Sequence, residues 1–271
     1  MITNLGIGYN GRLGNQLFQF AALYGAAKIN GYDLVIPVSN TNAKHSNTMD
    51  GKPVVYRLDL ADCFEINHLL GQPSNISLMV RERHFHFDSN VLQIPDNTTL
   101  DGYFQSERYF SHCKDDLIET LRFKDEIVDK AIGLLPKNKE QLVSIHVRRG
   151  DYTYPNPYHP VLGIEYLEPA ISLFEGNTFH FVVFSDDPQW CRETWGNDER
   201  FTIVDSGDSF ADLCAMSMCH HNIISNSSFS WWGSYLNKND GKKVIAPSRW
   251  FGPGYKDYIL TDLYTKEMKV V

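Results

Sequence analysis

Three polar clusters in the second half of the chain have residue types suited to binding a phosphorylated ligand. They read HVRRGD (146–151), SDD (185–187) and NSSFSWW (226–232), and each follows an apolar stretch typical of a buried strand. Arginine binds phosphate in a bidentate manner, and the amides of a helix N-terminus complement negative charge. Because the carboxyl ends of parallel strands converge on one crevice, we expect the three clusters to form one anion site.

Each cluster also has a structural interpretation. Arg148 can pair with Asp151, and the SDD sequence before Pro188 can cap the N-terminus of a helix. Trp231 and Trp232 are more typical of core packing than of a stacking platform. A carboxylate after a strand can also accept hydrogen bonds from N1–H and N2–H₂ of guanine, an edge that adenine does not offer. The residues alone leave both interpretations open.

The start of the chain, GIGYNGRLGNQLFQF, matches the G-x-G-x-x-G spacing of a dinucleotide-binding turn over residues 6–11. An NAD site needs a strand before the turn, a helix directly after it and an acid at the end of the next strand. Here the helical pattern starts only at Leu13, and Asp33 precedes the strand 34–37 instead of following it. The loop Gly11–Gln16 therefore favours either an anion or sugar site at a helix start, or a simple tight turn.

The elements around the three clusters alternate between strands and helices, which predicts a doubly wound parallel sheet. We predict strands at 142–147, 179–184, 201–204, 222–225 and, as the last, 243–246, with helices at about 163–174, from Pro188, at 209–218 and after the third cluster. We place the domain boundary at the polar segment PKNKE, which gives an N-terminal α/β half, 1–136, and a C-terminal Rossmann-like half, 137–271.

In the first half, the pattern predicts one amphipathic helix over about 106–135. His84, His86 and Asp88 alternate with two phenylalanines, as on one side of a strand. A metal site is one interpretation of that alternation, and an ordinary half-buried strand is the favoured one.

Composition excludes several classes of protein. The 271 residues carry a formal net charge of −8, which argues against a nucleic-acid partner. The five cysteines have no C-x-x-C spacing, which argues against a disulfide framework and a structural zinc site. No signal peptide or membrane-spanning stretch is expected, so we predict a cytoplasmic protein and leave open whether it associates peripherally with a membrane.

The motifs HVRRGDY, FSDD and SNSSFSWWGSYL, with GRLGNQLFQFAALYGAA and GYFQSERYF before them, closely resemble those of the α-1,2-fucosyltransferases of glycosyltransferase family 11, of the bacterial, GDP-L-fucose-dependent type. The resemblance spans roughly residues 6–251. It implies an α/β, GT-B-like fold of two Rossmann-like halves, in which the C-terminal half binds the nucleotide. It also implies transfer of fucose from GDP-β-L-fucose with inversion and without a metal or other cofactor.

The resemblance also implies roles for individual residues. Arg149 matches the second arginine of an H-x-R-R-x-D motif that holds the donor pyrophosphate in related fucosyltransferases, and Arg148 stands beside it. His146 and Asp187 match positions near the guanine. The other implied donor contacts are loop residues of the two halves: Gly11, Arg12, Gly14, Asn15 and Gln16, and Ser227, Ser228 and Phe229.

The general base and the acceptor are less determined. More distant α-1,6-fucosyltransferases carry a glutamate where this chain has Asn156, which cannot act as a base. Asp151 is our candidate base, with an ion pair to Arg148 as the alternative, while Asp101 and Glu107 are candidates for the acceptor side. The resemblance favours O2 of a terminal galactose in a surface polysaccharide or lipopolysaccharide O-antigen. We expect the first half, including 38–52 and 84–110, to shape that site.

Two other classes of function remain as alternatives. A metal-dependent GT-A glycosyltransferase would use acidic ligands for its metal, although SDD is not the expected D-x-D spacing. A non-catalytic carbohydrate-binding protein would explain the aromatic residues but not the two adjacent arginines.

Overall fold

The computed structural model describes residues 1–39, 45–49, 52–137, 139, 141–155, 157–174, 176 and 178–271. The chain forms two compact units. The first consists of Met1–Lys124 and Tyr258–Thr265, and the second of Asp125–Asp257 and Lys266–Val271.

The first unit contains short parallel strand pairs and one long helix. Its helices are α1 (Leu13–Asn30), α2 (Asp59–Cys63) and α3 (Lys114–Thr120), and its strands are β1 (Ile36–Pro37), β2 (His45–Met49), β3 (Lys52–Tyr56), β4 (Leu70–Gly71), β5 (Leu78–Arg81) and β6 (Thr98–Asp101). Strands β1 and β4 pair in parallel, as do β5 and β6, while β2 and β3 form an antiparallel hairpin. Single parallel bridges join Ile2 to Leu34 and Thr3 to Thr99.

Helix α1 is buried over most of its length, which fits its alanine-rich and aromatic sequence. Gly25 allows this packing, because a Cβ atom there would lie 2.0 Å from the backbone oxygen of Tyr109. The helix ends at Gly31, which adopts φ 67° and donates its N–H to the oxygen of Ala27. At its other end, the helix begins at Leu13, directly after the loop that carries the glycine motif.

The single helix predicted over about 106–135 is wrong. Short 3₁₀ turns precede α3, and the chain leaves helical geometry between Thr120 and Asp125, where α4 (Asp125–Leu134) begins. The intervening residues pair with another segment: Arg122 accepts a backbone hydrogen bond from Glu65, and Phe123 forms an antiparallel bridge with Phe64. This tertiary pairing overrides the local helical pattern.

The second unit contains a six-stranded, fully parallel sheet in the order β12-β11-β10-β7-β8-β9. The strands are β7 (Gln141–Val147), β8 (Phe179–Ser185), β9 (Phe201–Val204), β10 (His221–Ile223), β11 (Val244–Ala246) and β12 (Met268–Val270). Besides α4, the helices are α5 (Ile164–Ser172), α6 (Pro188–Trp195), α7 (Ser209–Met218) and α8 (Ser228–Tyr235). The predicted alternation is confirmed, but β11 is not the last strand, because β12 pairs beyond it.

Helices cover both faces of this sheet. On one face, Val143 and Phe181 of the strands pack in a buried cluster with Tyr166 of α5 and Trp195 of α6. On the other face, the side chain of Asn222 donates to Ser144 of β7 and to the backbone of Met216 in α7. The sheet is therefore doubly wound, as predicted.

The two compact units divide the chain between Lys124 and Asp125 instead of between 136 and 137. The physical reason is that α4, which precedes the polar segment PKNKE, packs against α7 of the second unit. Lys130 on α4 also pairs with Asp208, the N-cap residue of α7, at 2.8 Å. The polar segment therefore connects two elements of one unit.

Candidate functional site

The strand order of the second unit contains a topological switch point. From β7 the chain moves to β8 and β9 on one side, then crosses to β10, β11 and β12 on the other. In open parallel sheets, ligands bind beyond the carboxyl ends of the two strands at such a point, which here are β7 and β10. The HVRRGD cluster follows β7 and the NSSFSWW cluster follows β10, so the sheet brings these two predicted clusters together.

Two adjacent arginines at the end of β7 have different surroundings. The Nη1 atom of Arg148 donates to Oδ2 of Asp186 at 2.6 Å, and its Nη2 atom donates to Asp151. The Nε atom of Arg149 donates to Oδ2 of Asp187 at 3.0 Å, and its guanidinium lies 4.4 Å from the ring centre of Trp190. Arg148 is thus held by two carboxylates and Arg149 by one.

This difference makes the two guanidinium groups unequal in their capacity to bind phosphate. Within the described part of the chain, the Nη atoms of Arg149 have no ion-pair or hydrogen-bond partner, whereas both Nη atoms of Arg148 donate to carboxylates. The Nη pair of a guanidinium is the edge that binds an anion in a bidentate manner. The geometry therefore favours Arg149 as the phosphate ligand and gives Arg148 the structural ion pair with Asp151 that the sequence left as an alternative.

The two aspartates of the SDD cluster hold the backbone as well as the arginines. Oδ1 of Asp186 accepts the backbone N–H of Arg149 at 2.8 Å. Asp187 is the N-cap residue of α6 and accepts the N–H of Trp190 at 3.1 Å. The hydrogen bond from Arg149 lowers the pKa of Asp187 below its usual value. A Cβ atom at Gly150 would lie 2.4 Å from Oδ2 of Asp186, so a side chain at this position would displace the carboxylate that Arg148 and Arg149 contact.

His146 is a buried, neutral imidazole near the end of β7. Its pKa is lowered to about 3, mainly by burial and in addition by the positive charge of Arg148. Its Nδ1 atom lies 3.3 Å from the hydroxyl of Ser225, which follows β10, and its ring centre lies 5.5 Å from that of Phe229. The imidazole therefore connects the ends of the two strands at the switch point.

The start of α8 lies directly after β10. Ser227 is its N-cap residue and accepts the backbone N–H of Phe229 at 3.4 Å. Before it, the Nδ2 atom of Asn226 donates to the backbone of Pro160 and Trp250, at 2.9 Å and 3.1 Å. The Oδ1 atom of Asn226 is buried without a partner among the described residues. The hydrogen bonds of Asn226 thus fix the loop before α8 and, with it, the backbone amides at the start of the helix.

The pair Trp231 and Trp232 is fully buried in the core, so the favoured interpretation of core packing is confirmed. Their rings lie 5.2 Å apart in an edge-to-face arrangement, and both pack against Tyr235 one turn later. This packing anchors α8 and leaves no role for either tryptophan as a platform exposed to a sugar.

A further carboxylate in the second unit was not identified from the sequence. Asp212 lies in the first turn of α7, where its Oδ1 atom accepts a hydrogen bond from Ser206 at 2.7 Å. Its pKa is raised to about 6, mainly by burial and also by the charges of Asp208 and Asp205, against the opposing effect of the hydrogen bond from Ser206. Its Oδ2 atom accepts no hydrogen bond within the described part of the chain. In the sequence, the segment DSGDSFAD directly after β9 could have identified this carboxylate, because it marks a helix that starts at the carboxyl end of a strand.

The loop Gly11–Gln16 lies in the first unit, and its residues have several kinds of contact. Gln16 is fully buried, and its Nε2 atom donates to the backbone oxygens of Gly11 and Arg57, at 3.1 Å and 2.8 Å. Its Oε1 atom accepts the backbone N–H groups of Asp59 and Leu60. All four hydrogen-bonding positions of this amide are used, so the side chain of Gln16 supports the loop and has none left for a ligand.

The other loop residues differ from Gln16. Asn15 accepts a hydrogen bond from Gln105 at 3.0 Å, and Gly11 has φ 87° and lies too close to Asn15 for any Cβ atom. Arg12 is the exposed N-cap residue of α1, and its side chain makes no capping hydrogen bond. Gly14 is buried in the first turn. Because the N-cap residue is a cation that makes no capping hydrogen bond, the positive end of the α1 dipole remains available to an anion.

Residues 84–88 do not form a strand, so the favoured prediction of an ordinary half-buried strand is wrong. Strand β5 ends at Arg81, and the rings of His84 and His86 stack 5.0 Å apart in a bend. Asp88 instead caps a 3₁₀ turn by accepting the N–H of Asn90. Among the residues that the structure describes, no group of three metal-ligating side chains is found.

The remaining predicted positions are distributed over the first unit or lie outside the described residues. Asp101 pairs with Arg81 at 2.7 Å, and Glu107 begins a 3₁₀ turn. Asn156 and parts of the segment 38–52 lie outside the described residues. No helix in the described ranges is long and apolar enough to cross a membrane.

Comparisons with known proteins agree with the motifs. The family model described as Glycosyl transferase family 11 matches residues 2–252. The chain is 28% identical to the O-antigen biosynthesis glycosyltransferase WbnK of Escherichia coli, over 93% of this chain and 97% of that protein. It is 28% identical to galactoside alpha-(1,2)-fucosyltransferase 2 of Rattus norvegicus, over 85% of this chain and 66% of that one.

Two further similarities concern part of the chain and the fold. An alpha-1,2-colitosyltransferase of Escherichia coli is 33% identical, over 55% of each chain. The crystal structure of POFUT1 in complex with GDP-fucose superposes with a TM-score of 0.55 and 12% identity, over 90% of this chain and 97% of that one. At this identity the likeness concerns the fold alone, and it confirms the α/β, GT-B-like fold class expected from the sequence.

Proposed function

Because this chain belongs to glycosyl transferase family 11 and is therefore a glycosyltransferase, we propose that it transfers L-fucose from GDP-β-L-fucose to O2 of a terminal galactose. The product is an α-1,2-linked fucoside, so the configuration at the anomeric carbon inverts. The names of the rat fucosyltransferase and of the bacterial O-antigen glycosyltransferase support this acceptor and a role in O-antigen assembly. We place the reaction in the cytoplasm.

The observation that carries the proposal is the position of Arg149 at the switch point. Its Nη edge has no partner among the described residues, and the strand that precedes it is paired with β10, which leads into the N-terminus of α8. A pyrophosphate bound at this edge of the sheet would have a guanidinium on one side and helix amides on the other. Both groups stabilise the charge that grows on the β-phosphate as GDP leaves.

The transfer step has a simple balance. A bond forms between O2 of the acceptor and C1 of fucose, while the bond between C1 and the β-phosphate oxygen breaks and its electron pair leaves with GDP. The proton of the acceptor hydroxyl passes to a base, a role that we assign to Asp151. Because Arg148 also pairs with this carboxylate, Asp151→Asn removes an ion pair together with the base. Loss of turnover therefore supports the assignment only when the melting temperature is unchanged, and normal turnover overturns it. We propose that no metal or other cofactor takes part, since Arg149 and the helix amides supply the positive charge.

Recognition of guanine requires a carboxylate oxygen for the N1–H and N2–H₂ groups. Asp187 already binds Arg149 and caps α6, whereas Asp212 has an oxygen without a hydrogen bond in the described ranges. We therefore add Asp212 to Asp187 as a candidate for this contact. The test compares GDP with IDP, which lacks the N2 amine. The carboxylate that binds the base is the one whose change to asparagine removes the preference for GDP.

The donor experiment is calorimetric binding of GDP, GDP-fucose, GDP-mannose and UDP-galactose in the presence of EDTA. We expect GDP and GDP-fucose to bind without metal and UDP-galactose not to bind. Binding that appears only when EDTA is replaced by Mg²⁺ or Mn²⁺ would favour the GT-A alternative. Failure to bind any nucleotide with or without metal would favour the carbohydrate-binding alternative.

The acceptor experiment follows with GDP-fucose and a panel of galactosides. We expect transfer to terminal galactose and an α-1,2 linkage in the product by NMR. GDP-colitose belongs in the same donor panel, because one relative is an alpha-1,2-colitosyltransferase. Preference for GDP-colitose would keep the linkage and overturn the assignment of fucose.

A fractionation of the producing cell checks the cytoplasmic location and any peripheral membrane association.

A further inference from the structure

A half-buried carboxylate in the first unit, that of Glu82, holds the turn 102–105, which precedes the 3₁₀ helix Glu107–Tyr109. Glu82 follows β5, and its two oxygens accept the backbone N–H groups of Tyr103 and Phe104, both at 2.8 Å. Gly102 lies so close that a Cβ atom there would be 2.3 Å from Cβ of Glu82. The carboxylate and the turn are therefore fitted to each other, although nothing in the proposed transfer step uses Glu82.

The turn adopts a backbone conformation that needs such support. Phe104 has φ 54°, in the left-handed region, while the other non-glycine residues with positive φ in the described ranges are asparagines. A bulky residue in this region is strained and persists only where its surroundings impose the conformation. The side chain of Phe104 is buried against Tyr109, with ring centres 5.6 Å apart. The two hydrogen bonds to Glu82 and this packing hold the strained residue.

The turn places the next residue against the glycine-rich loop of the same unit. Gln105 is buried and its Nε2 atom donates to Oδ1 of Asn15 at 3.0 Å. Asn15 in turn packs so tightly against Gly11 that no side chain fits at that position. A continuous series of contacts therefore runs from Glu82 through Phe104 and Gln105 to Asn15.

We propose that Glu82 is a positioning residue, whose ionised carboxylate fixes the turn 102–105 and through Gln105 sets the shape of the loop Gly11–Asn15. The inference rests on the proposed function, in which that loop contacts the donor. Glu82 touches no reacting atom in this scheme, and it acts only through the two backbone amides and the amide of Gln105.

The surroundings of Glu82 make this role dependent on pH. The pKa of Glu82 is raised to about 6, mainly by burial and to a smaller extent by the charge of Asp101, against the opposing effect of the two backbone hydrogen bonds. The other charged or titratable groups around it are Arg81, which pairs with Asp101, and Tyr109, whose own pKa is raised by burial and by the charge of Glu82. Below about pH 6, a protonated carboxyl accepts these N–H groups less well, so the loop should lose its fixed shape.

The same shift affects stability in the opposite direction. The folded state holds the proton of Glu82 more tightly than the unfolded chain, so this residue stabilises the fold increasingly as pH falls from about 6 toward the ordinary value. If the role of Glu82 were purely structural, mild acid would therefore cause no loss of activity. A positioning role predicts that activity falls over the range in which the contribution of Glu82 to stability rises.

The experiment uses Glu82→Gln, which keeps the size but can accept only one of the two amides, with Glu119→Gln as the matched surface control. We expect KM for GDP-fucose to be approximately tenfold higher in Glu82→Gln, with a smaller change in kcat. We also expect the wild type to lose activity below about pH 6 and Glu82→Gln to lack this part of the pH profile. Hydrogen exchange should speed up at residues 102–105 and also at 11–15. The control should match the wild type in all of these measurements.

The outcomes separate this inference from the proposed function. If the wild type transfers no fucose, the proposed function fails, whereas faster exchange at 11–15 in Glu82→Gln would still support the structural link. If the wild type is active and Glu82→Gln keeps its KM, its pH profile and its exchange at 11–15, the inference is overturned. Should Glu82→Gln not fold, Gln105→Leu breaks only the link to Asn15 and must give the same rise in KM.

Discussion

The loop Gly11–Gln16 of the first unit and the carboxyl edge of the sheet in the second unit both present polar residues just before a helix, but they use them differently. In the loop, the amide of Gln16 is consumed by four hydrogen bonds to the protein, and Asn15 accepts from Gln105. At the sheet edge, Arg149 keeps its Nη edge and Asp212 keeps one oxygen without a partner in the described ranges. The first region is held rigid by its own polar groups, and the second has polar groups left for a ligand.

The difference shows why two motifs of similar composition need not have similar roles. A buried amide whose donors and acceptors are all used contributes to the shape of a loop. A partly exposed guanidinium with one carboxylate partner can still bind an anion. A substitution of Gln16 should therefore act mainly on stability, and substitutions at the sheet edge mainly on turnover.

The largest expected effect is that of Arg149→Ala. The charge on the departing β-phosphate would lose its guanidinium, so we expect turnover to fall by a factor of about 10²–10³ or more. Melting temperature should change little, because the side chain is partly exposed and has one ion pair. Steady-state transfer assays and thermal unfolding measure the two quantities.

Arg200→Ala is the control for this change, since Arg200 also pairs with one aspartate, Asp198, but on the surface. Near-normal turnover of Arg149→Ala would show that the pyrophosphate is bound elsewhere. Arg149→Lys sharpens the test, because it keeps the charge and loses the bidentate edge.

The next effect concerns Gln16→Leu in the first unit. The substitution removes the hydrogen bonds of this side chain to the backbone of Gly11, Arg57, Asp59 and Leu60, of which the N–H of Leu60 is buried. We therefore expect a loss of about 3 kcal/mol in the free energy of unfolding. Denaturant unfolding measures it, with Asn15→Ala as the comparison that should lose activity more than stability. A Gln16→Leu protein of normal stability that fails to bind GDP-fucose would reverse our interpretation of this side chain.

The smallest of the three effects is the pH dependence contributed by His146. Its folded pKa of about 3 lies below the ordinary value of 6.5, so the unfolded chain takes up a proton first as pH falls. Stability from this residue is complete above about pH 6.5 and is lost progressively below it, by about 2 kcal/mol at pH 5. The measurement is the free energy of unfolding of the wild type and of His146→Gln between pH 7 and pH 5.

His146→Gln should show a weaker loss of stability in acid than the wild type. Because other histidines of the second unit also have lowered pKa values, only the difference between the two proteins isolates His146. Identical pH dependence in both proteins would mean that the imidazole is accessible to protons in the folded state.

Much of the second unit could be predicted from sequence because its signals are local. Short apolar runs followed by Asp187 or Asp208 mark strand ends and helix caps, and β9 and α7 begin and end where predicted. The first unit was harder, since its strands are two to five residues long and carry little periodicity. The break between α3 and α4 depends on pairing of Phe123 with Phe64, which are far apart in the sequence.

By itself, the sequence determined the alternation of strands and helices, the residue types at the strand ends and the family of the chain. These follow from short-range patterns of burial, capping and motif spacing. Only the tertiary structure decided which arginine is engaged by two carboxylates, that Gln16 supports a loop and that Glu82 holds the strained turn at Phe104. Each of these depends on partners up to about forty positions away, because folding chooses among the many hydrogen bonds that one polar side chain can make.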